Sequence, residues 1–273
     1  MSRIERALRA ATEMRGEEPR RRVETRGYMH RTPQPPQEVL ERIAGQHMLV
    51  SVNDPQCPAA EEFRKLKQNL VRVTKRDGFQ NTILVTSGTS GEGKSVTATN
   101  LAISLAQEFD HTVLLVDGDL RRPTCQTLLG IEPEFGLTEC LTDGRDVSEA
   151  LIKTGLGKLT FLPAGKAMQS PGELLASRRM KQILTEMKNR YSDRYIIVDS
   201  PPVLPFAETR SLARIVDGVV LVVKEGQVTQ YEVRDTVEAL GGSNILGAVY
   251  NQAAMGVGMG YAGYSPYKYY YAD

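Results

Sequence analysis

Thiols and imidazoles are scarce in this chain of 273 residues, which has three cysteines (Cys57, Cys125 and Cys140) and three histidines (His30, His47 and His111). An odd cysteine count with no Cys-x-x-Cys pair argues against a disulfide framework and a zinc site, and leaves the thiols as small packed hydrophobes. Cys125 alone stands close after an acidic motif. No apolar run approaches the roughly 18 residues that cross a bilayer, and the start lacks the apolar core of a signal peptide. The expectation is therefore a cytoplasmic protein. A formal net charge of +1 supplies no whole-molecule field toward nucleic acid, so no nucleic-acid partner is expected. No period of a repeat array is present. What remains is ordinary globular composition, 41% apolar and 25% charged, enough for one sizeable α/β domain with flexible ends.

Three regions follow from patterning. Residues 1–57 read as a short amphipathic helix and a linker. In residues 1–15, Ser2 and Glu5 form a capping-box pair, and Ile4, Ala7, Leu8, Ala11 and Met14 share a stripe. Pro33, Pro35 and Pro36 then block regular structure. Residues 1–31 hold nine Arg against five Glu, a basic start suited to an anionic surface or a partner, or to packing on its own domain. Residues 58–252 alternate helices with apolar strands. Helices are predicted over 59–75, 94–109, about 171–190, 207–215 and 229–240. Strands are predicted over 82–86, 112–117, 159–162, 195–199, 218–223 and 245–250. Continuous Val/Ile/Leu strands between helices specify a doubly wound, mostly parallel sheet with helices on both faces. Residues 253–273 lack periodicity and read as a disordered tail.

The segment Gly88, Thr89, Ser90, Gly91, Glu92, Gly93, Lys94 and Ser95 fits G-x-x-x-x-G-K-[ST] in full, after a strand and before a helix that continues with Val96. In such a loop the glycines let backbone N–H groups wrap phosphate oxygens, and the helix N-terminus adds partial positive charge. Lys94 reaches the outer phosphates of ATP and the Ser95 hydroxyl ligates Mg2+. The metal also needs acids. Asp199 ends one apolar strand, and Asp117 and Asp119 end another, followed by Arg121 and Arg122. All lie at the carboxyl edge of the sheet, where ligands bind in open α/β folds.

Six of the eleven tyrosines, Tyr261, Tyr264, Tyr267, Tyr269, Tyr270 and Tyr271, fall in the last 13 residues, where uniform scatter would put about 0.5. Packing does not explain the cluster. Taken alone it fits a sticky partner-binding segment or a tail without a role, whereas beside an ATP site it reads as a phosphoacceptor.

From about Glu61 onward the chain resembles the bacterial tyrosine kinases of exopolysaccharide and capsule systems. The resemblance rests on the Walker A loop at 88–95, the Val-Asp-Gly-Asp-Leu-Arg-Arg-Pro segment ending at Pro123, Asp199 in Walker B, Ser-Pro-Gly-Glu-Leu-Leu from Ser170, and the Tyr-rich end. The short N-terminal helix is similar to the free-standing autokinases of exosortase-linked loci. The resemblance implies that Asp119 and Asp199 help Ser95 hold the metal, that Asp117 orients or deprotonates the acceptor hydroxyl, and that Asn251 contacts adenine. It implies ring-like self-association through Glu61, Arg64 and Lys67, where Lys67 replaces an arginine of the family pattern and lacks its bidentate fork. Glu208 stands where the family often has Asp. A membrane polysaccharide chain-length regulator as activator and a phosphotyrosine phosphatase are the implied partners. The rival class is the positioning and partition ATPases, which carry a lysine after the first loop glycine where this chain has Thr89. Iron–sulfur carrier relatives require a Cys-x-x-Cys pair that is absent.

Overall fold

The computed structural model describes residues 36–253, apart from residues 77, 109 and 192. The amphipathic helix expected over 1–15 and the tyrosine tail lie outside the described residues. The chain runs α1 (Gln37–Ile43), α2 (Val50–Asn53), α3 (Pro58–Thr74), β1 (Thr82–Ser87), α4 (Lys94–Ala106), β2 (Thr112–Asp117) and α5 (Cys125–Leu128). It continues through α6 (Leu137–Thr142), α7 (Val147–Ala150), β3 (Ile152–Lys153), β4 (Leu159–Leu162), α8 (Gly172–Leu175) and α9 (Arg178–Asn189). The last elements are β5 (Arg194–Asp199), α10 (Ala207–Ala213), β6 (Gly218–Lys224), α11 (Gln230–Ala239) and β7 (Ile245–Asn251).

Seven strands form one sheet in the order β3-β4-β2-β5-β1-β6-β7. Every pairing is parallel except β3 with β4. Strand side chains alternate between faces, and the two cores record it. Ile83, Val85, Val113, Leu115 and Ile197 pack on one face, while Leu84, Leu114, Val116, Ile196 and Val198 pack on the other. Each such fully buried side chain contributes about 1.5–3 kcal/mol relative to exposure. The sheet is thus the rigid floor from which the carboxyl-edge residues project. Helix α4 is buried almost all round, eleven of its 13 residues being buried, so the P-loop that enters it is fixed at both ends.

Two sequence expectations change. The linker expected to run to residue 57 gives way earlier to α1 and α2. Val39, Ile43 and Leu49 join the core, and Asn100 of α4 holds the segment with Nδ2 donating to Met48 O at 2.8 Å and Oδ1 accepting from Ser51 N at 3.0 Å. Both helices are too short to show periodicity. The helix expected over about 171–190 is two helices, because Ser177 Oγ accepts from Met180 N at 3.1 Å and caps a new start.

Candidate active site

The phosphate loop crosses from β1 to α4 with Gly91 and Gly93 at φ of +85° and +90°, the left-handed region that glycine adopts without steric cost. A Cβ on Gly93 would stand 2.2 Å from Asn251 Nδ2. The first turn of α4 leaves its N–H groups without intrahelical acceptors and directs them at the loop's hollow. Glu92 is buried and holds the loop's shape. Its Oε1 accepts from Thr89 N at 2.6 Å and Thr89 Oγ1 at 3.1 Å, and its Oε2 accepts from Lys224 N at 3.3 Å. Gln227 Nε2 donates to Ser90 O at 2.6 Å. The side chain of Glu92 is therefore structural, and a ligand in the loop meets backbone there.

Lys94 Nζ lies 2.9 Å from Asp119 Oδ2 and 3.2 Å from Ser95 Oγ. Burial on its own would lower the lysine pKa, but the Asp199 and Asp119 carboxylates outweigh it and hold the ammonium above its ordinary value. The two β-edge acids differ in placement. Asp119 lines the cleft. Asp117 is fully buried behind it, with Oδ1 accepting from Asp119 N at 3.2 Å and Oδ2 from Thr124 N at 3.1 Å and Cys125 N at 3.0 Å. Burial, then the Asp199 charge, pushes the Asp117 carboxyl well up, against the pull of the Cys125 amide. Asp117 thus organises the turn between β2 and α5 from directly behind the cleft-lining Asp119. Asp199 is also fully buried and its carboxyl is raised by desolvation, with Lys94 and the Ser95 hydroxyl opposing. Its Oδ1 has no hydrogen-bond partner among the described residues. An orphaned carboxylate oxygen beside Ser95 and Asp119 is a hard-oxygen donor set of the kind that suits magnesium.

The cleft above the loop has a volume of about 1040 Å³. Lys94, Ser95 and Val96 line it together with His47 and Met48, from the turn between α1 and α2, and Phe63 of α3. Arg121, also in the lining, is held by Glu208 Oε1 at 2.5 Å and stacks 4.3 Å over the Phe206 ring. Glu208 thus fixes Arg121 at the cleft. Asn251 ends β7 and donates from Nδ2 to Glu92 O at 2.8 Å, and both Asn251 and Gln252 line the cleft. The described residues therefore end at the rim of the site.

The three residues expected at a ring contact are paired within the chain. Arg64 meets Glu61 at 2.5 Å, and Lys67 meets Glu108 at 3.0 Å with only 14% of its side chain exposed.

Comparison with known proteins agrees with this geometry. A family model described as an AAA domain matches residues 80–240. Tyrosine-protein kinase YwqD of Bacillus subtilis is 33% identical over 227 residues, covering 82% of this chain and 92% of that protein. Tyrosine-protein kinase CpsD of Streptococcus agalactiae is 32% identical over 201 residues, covering 72% of this chain and 84% of that one. Among solved structures, the kinase domain of Escherichia coli tyrosine kinase ETK superposes with a TM-score of 0.71 at 30% identity, over 78% of this chain and 83% of that one. The septum site-determining protein MinD of Pyrococcus horikoshii, at 23% identity and a TM-score of 0.52, shares the fold alone. With its P-loop, paired acidic strand ends and these relatives, the chain belongs to the bacterial tyrosine-protein kinases.

Proposed function

We propose that the chain is an ATP-dependent protein-tyrosine autokinase that transfers the γ-phosphoryl group of Mg-ATP to Tyr261, Tyr264, Tyr267, Tyr269, Tyr270 and Tyr271, and to further proteins, in the control of exopolysaccharide synthesis and export. The observation that carries this reading is where the tail begins. Gln252 lines the cleft, and Tyr261 follows nine residues later, a span of up to about 30 Å when extended. The first acceptor can therefore reach its own cleft or that of a neighbouring copy.

In this reading the backbone of residues 88–95 cradles the phosphates, and Lys94 leaves Asp119 to meet the charge that builds on the transferring group. Ser95, Asp119 and Asp199 hold Mg2+, which neutralises charge on the outer phosphate oxygens. Asp119, freed from Lys94, stays with the metal, and Asp117, which keeps the turn that presents it, is the carboxylate proposed to orient or deprotonate the tyrosine hydroxyl. Asn251 braces the loop at the adenine side. Thr89, bound to Glu92 through both N and Oγ1, stands where the positioning ATPases need their lysine. The discriminating assay follows ADP and phosphotyrosine together. A kinase forms them in step, whereas a switch ATPase releases ADP and phosphate with no phosphotyrosine.

We further infer recruitment to the inner face of a membrane by a polysaccharide chain-length regulator, reversal by a phosphotyrosine phosphatase, and ring-like self-association. No helix among the described residues is long and apolar enough to cross a membrane; in this reading an integral partner supplies the anchorage. Pull-down from membranes with the full chain and with residues 1–15 deleted tests the basic start, and equal recovery of both refutes its role.

A further inference from the structure

Cys125 occupies a place to which phosphoryl transfer assigns no task. It opens α5, is fully buried, and its Sγ lies 3.6 Å from Asp199 Oδ2. This sulfur, one oxygen of Asp117 and one of Asp199 all lie within 4.8 Å of one another. Lone pairs remain on both acids. Asp199 Oδ1 is buried with no partner among the described residues, and Asp117 Oδ1 accepts one amide. Sulfur and oxygen bound to one zinc ion sit at about 2.3 and 2.0 Å, which at a tetrahedral angle places them about 3.5 Å apart. The Cys125–Asp199 pair already has nearly that separation. Magnesium uses the oxygens but has little affinity for sulfur, so it does not account for the thiol.

We propose that Cys125, Asp117 and Asp199 form a site for a soft divalent cation of the zinc and cadmium class, overlapping the magnesium position through Asp199. Binding exchanges the thiol proton for the metal. The S–H bond breaks, the proton goes to solvent, a sulfur lone pair closes on the ion, and no oxidation state changes. Two carboxylate oxygens and the thiolate supply three ligands, and water completes a tetrahedron. Because both positions draw on the Asp199 carboxylate, the soft cation competes with magnesium and depresses nucleotide chemistry. That consequence rests on the kinase reading, whereas the binding does not.

Cadmium titration of the full-length, untagged, reduced protein tests the site through the ultraviolet sulfur-to-metal charge-transfer band. The band should saturate at one equivalent in the wild type and in the Cys57→Ser/Cys140→Ser variant. It should be lost in Cys125→Ser, and Asp199→Asn should bind at least about tenfold more weakly. Excess magnesium should raise the cadmium midpoint. A band that survives Cys125→Ser, or one indifferent to Asp199→Asn, puts the metal elsewhere and overturns the proposal. Asp199→Asn keeps the thiol, so it decides the question even where Cys125→Ser fails to fold.

Discussion

Replacing Lys94 by Met perturbs catalysis and folding together, and the structure sets the size of both effects. On the catalytic side the ammonium offsets charge on the transferring group, and removing an electrostatic contact of this kind costs on the order of 10²–10³ in rate. On the folding side Lys94 Nζ lies 2.9 Å from Asp119 Oδ2, with 13% and 6% of the two side chains exposed. At an effective dielectric constant near 20 the gross attraction at that distance is about 6 kcal/mol. Removing one partner of a buried pair costs about 3–5 kcal/mol, and the open cleft beside it favours the lower end. The loss has a pH signature. Asp199 and Asp117 already have carboxyls raised above 3.8 by burial, and without the ammonium Asp199 rises further. The folded variant then binds protons more tightly than its unfolded chain, so its stability falls as pH rises from 3.8 through the folded values. The melting gap between Lys94→Met and wild type should be narrow at about pH 5 and wide at about pH 8. Thermal melts at both values, with phosphotyrosine quantified by mass spectrometry at the pH where the variant is folded, check both effects. A folded variant that works at the wild-type rate, or a melting gap independent of pH, would refute the reasoning.

Asp117→Asn should lower stability by about 1–3 kcal/mol, because one of its two acceptor positions becomes an amide N–H facing a backbone N–H. Denaturant melts check this, and full stability would refute the organising role of Asp117. Gly93→Ala should abolish nucleotide binding by calorimetry, since its backbone lies at φ +90° and the new Cβ would strike Asn251 at 2.2 Å. Phosphorylation of residues 261–271 should weaken self-association, because six phosphotyrosines add roughly −9 to −12 charges facing a site that contains Asp119 and Asp199. Light scattering at matched concentration reads this, and a larger assembly after phosphorylation would point instead to capture by Arg121 and Arg122.

The parts of the site built from neighbours in sequence were legible before the fold was seen. Residues 88–95 carry their own turn chemistry, and Asp117, Asp119 and Asp199 end apolar runs that could only be strands of a covered parallel sheet. The parts made by topology were not. Cys125 meets Asp199 from 74 positions away, and Arg121 meets Glu208 from 87. Neither pair leaves a periodic trace. Asp117 and Asp119 look equivalent in sequence and both take amides of the following turn, Asp117 from Thr124 and Cys125 and Asp119 from Arg122, but Asp119 alone of the two also lines the cleft. The short α1 and α2 were absorbed into a linker because one or two helical turns carry no amphipathic signature. The turn between them brings His47 and Met48 to the cleft, a placement no local pattern announces.

The central claim is phosphoryl transfer from ATP to the terminal tyrosines, and intact-mass and peptide-level spectrometry of the purified full chain tests it most directly. Dephosphorylated protein incubated with ATP and magnesium should gain phosphate on residues 261–271, and the same protein with magnesium chelated should gain none. ATP consumed with every tyrosine of the tail unmodified would contradict the account.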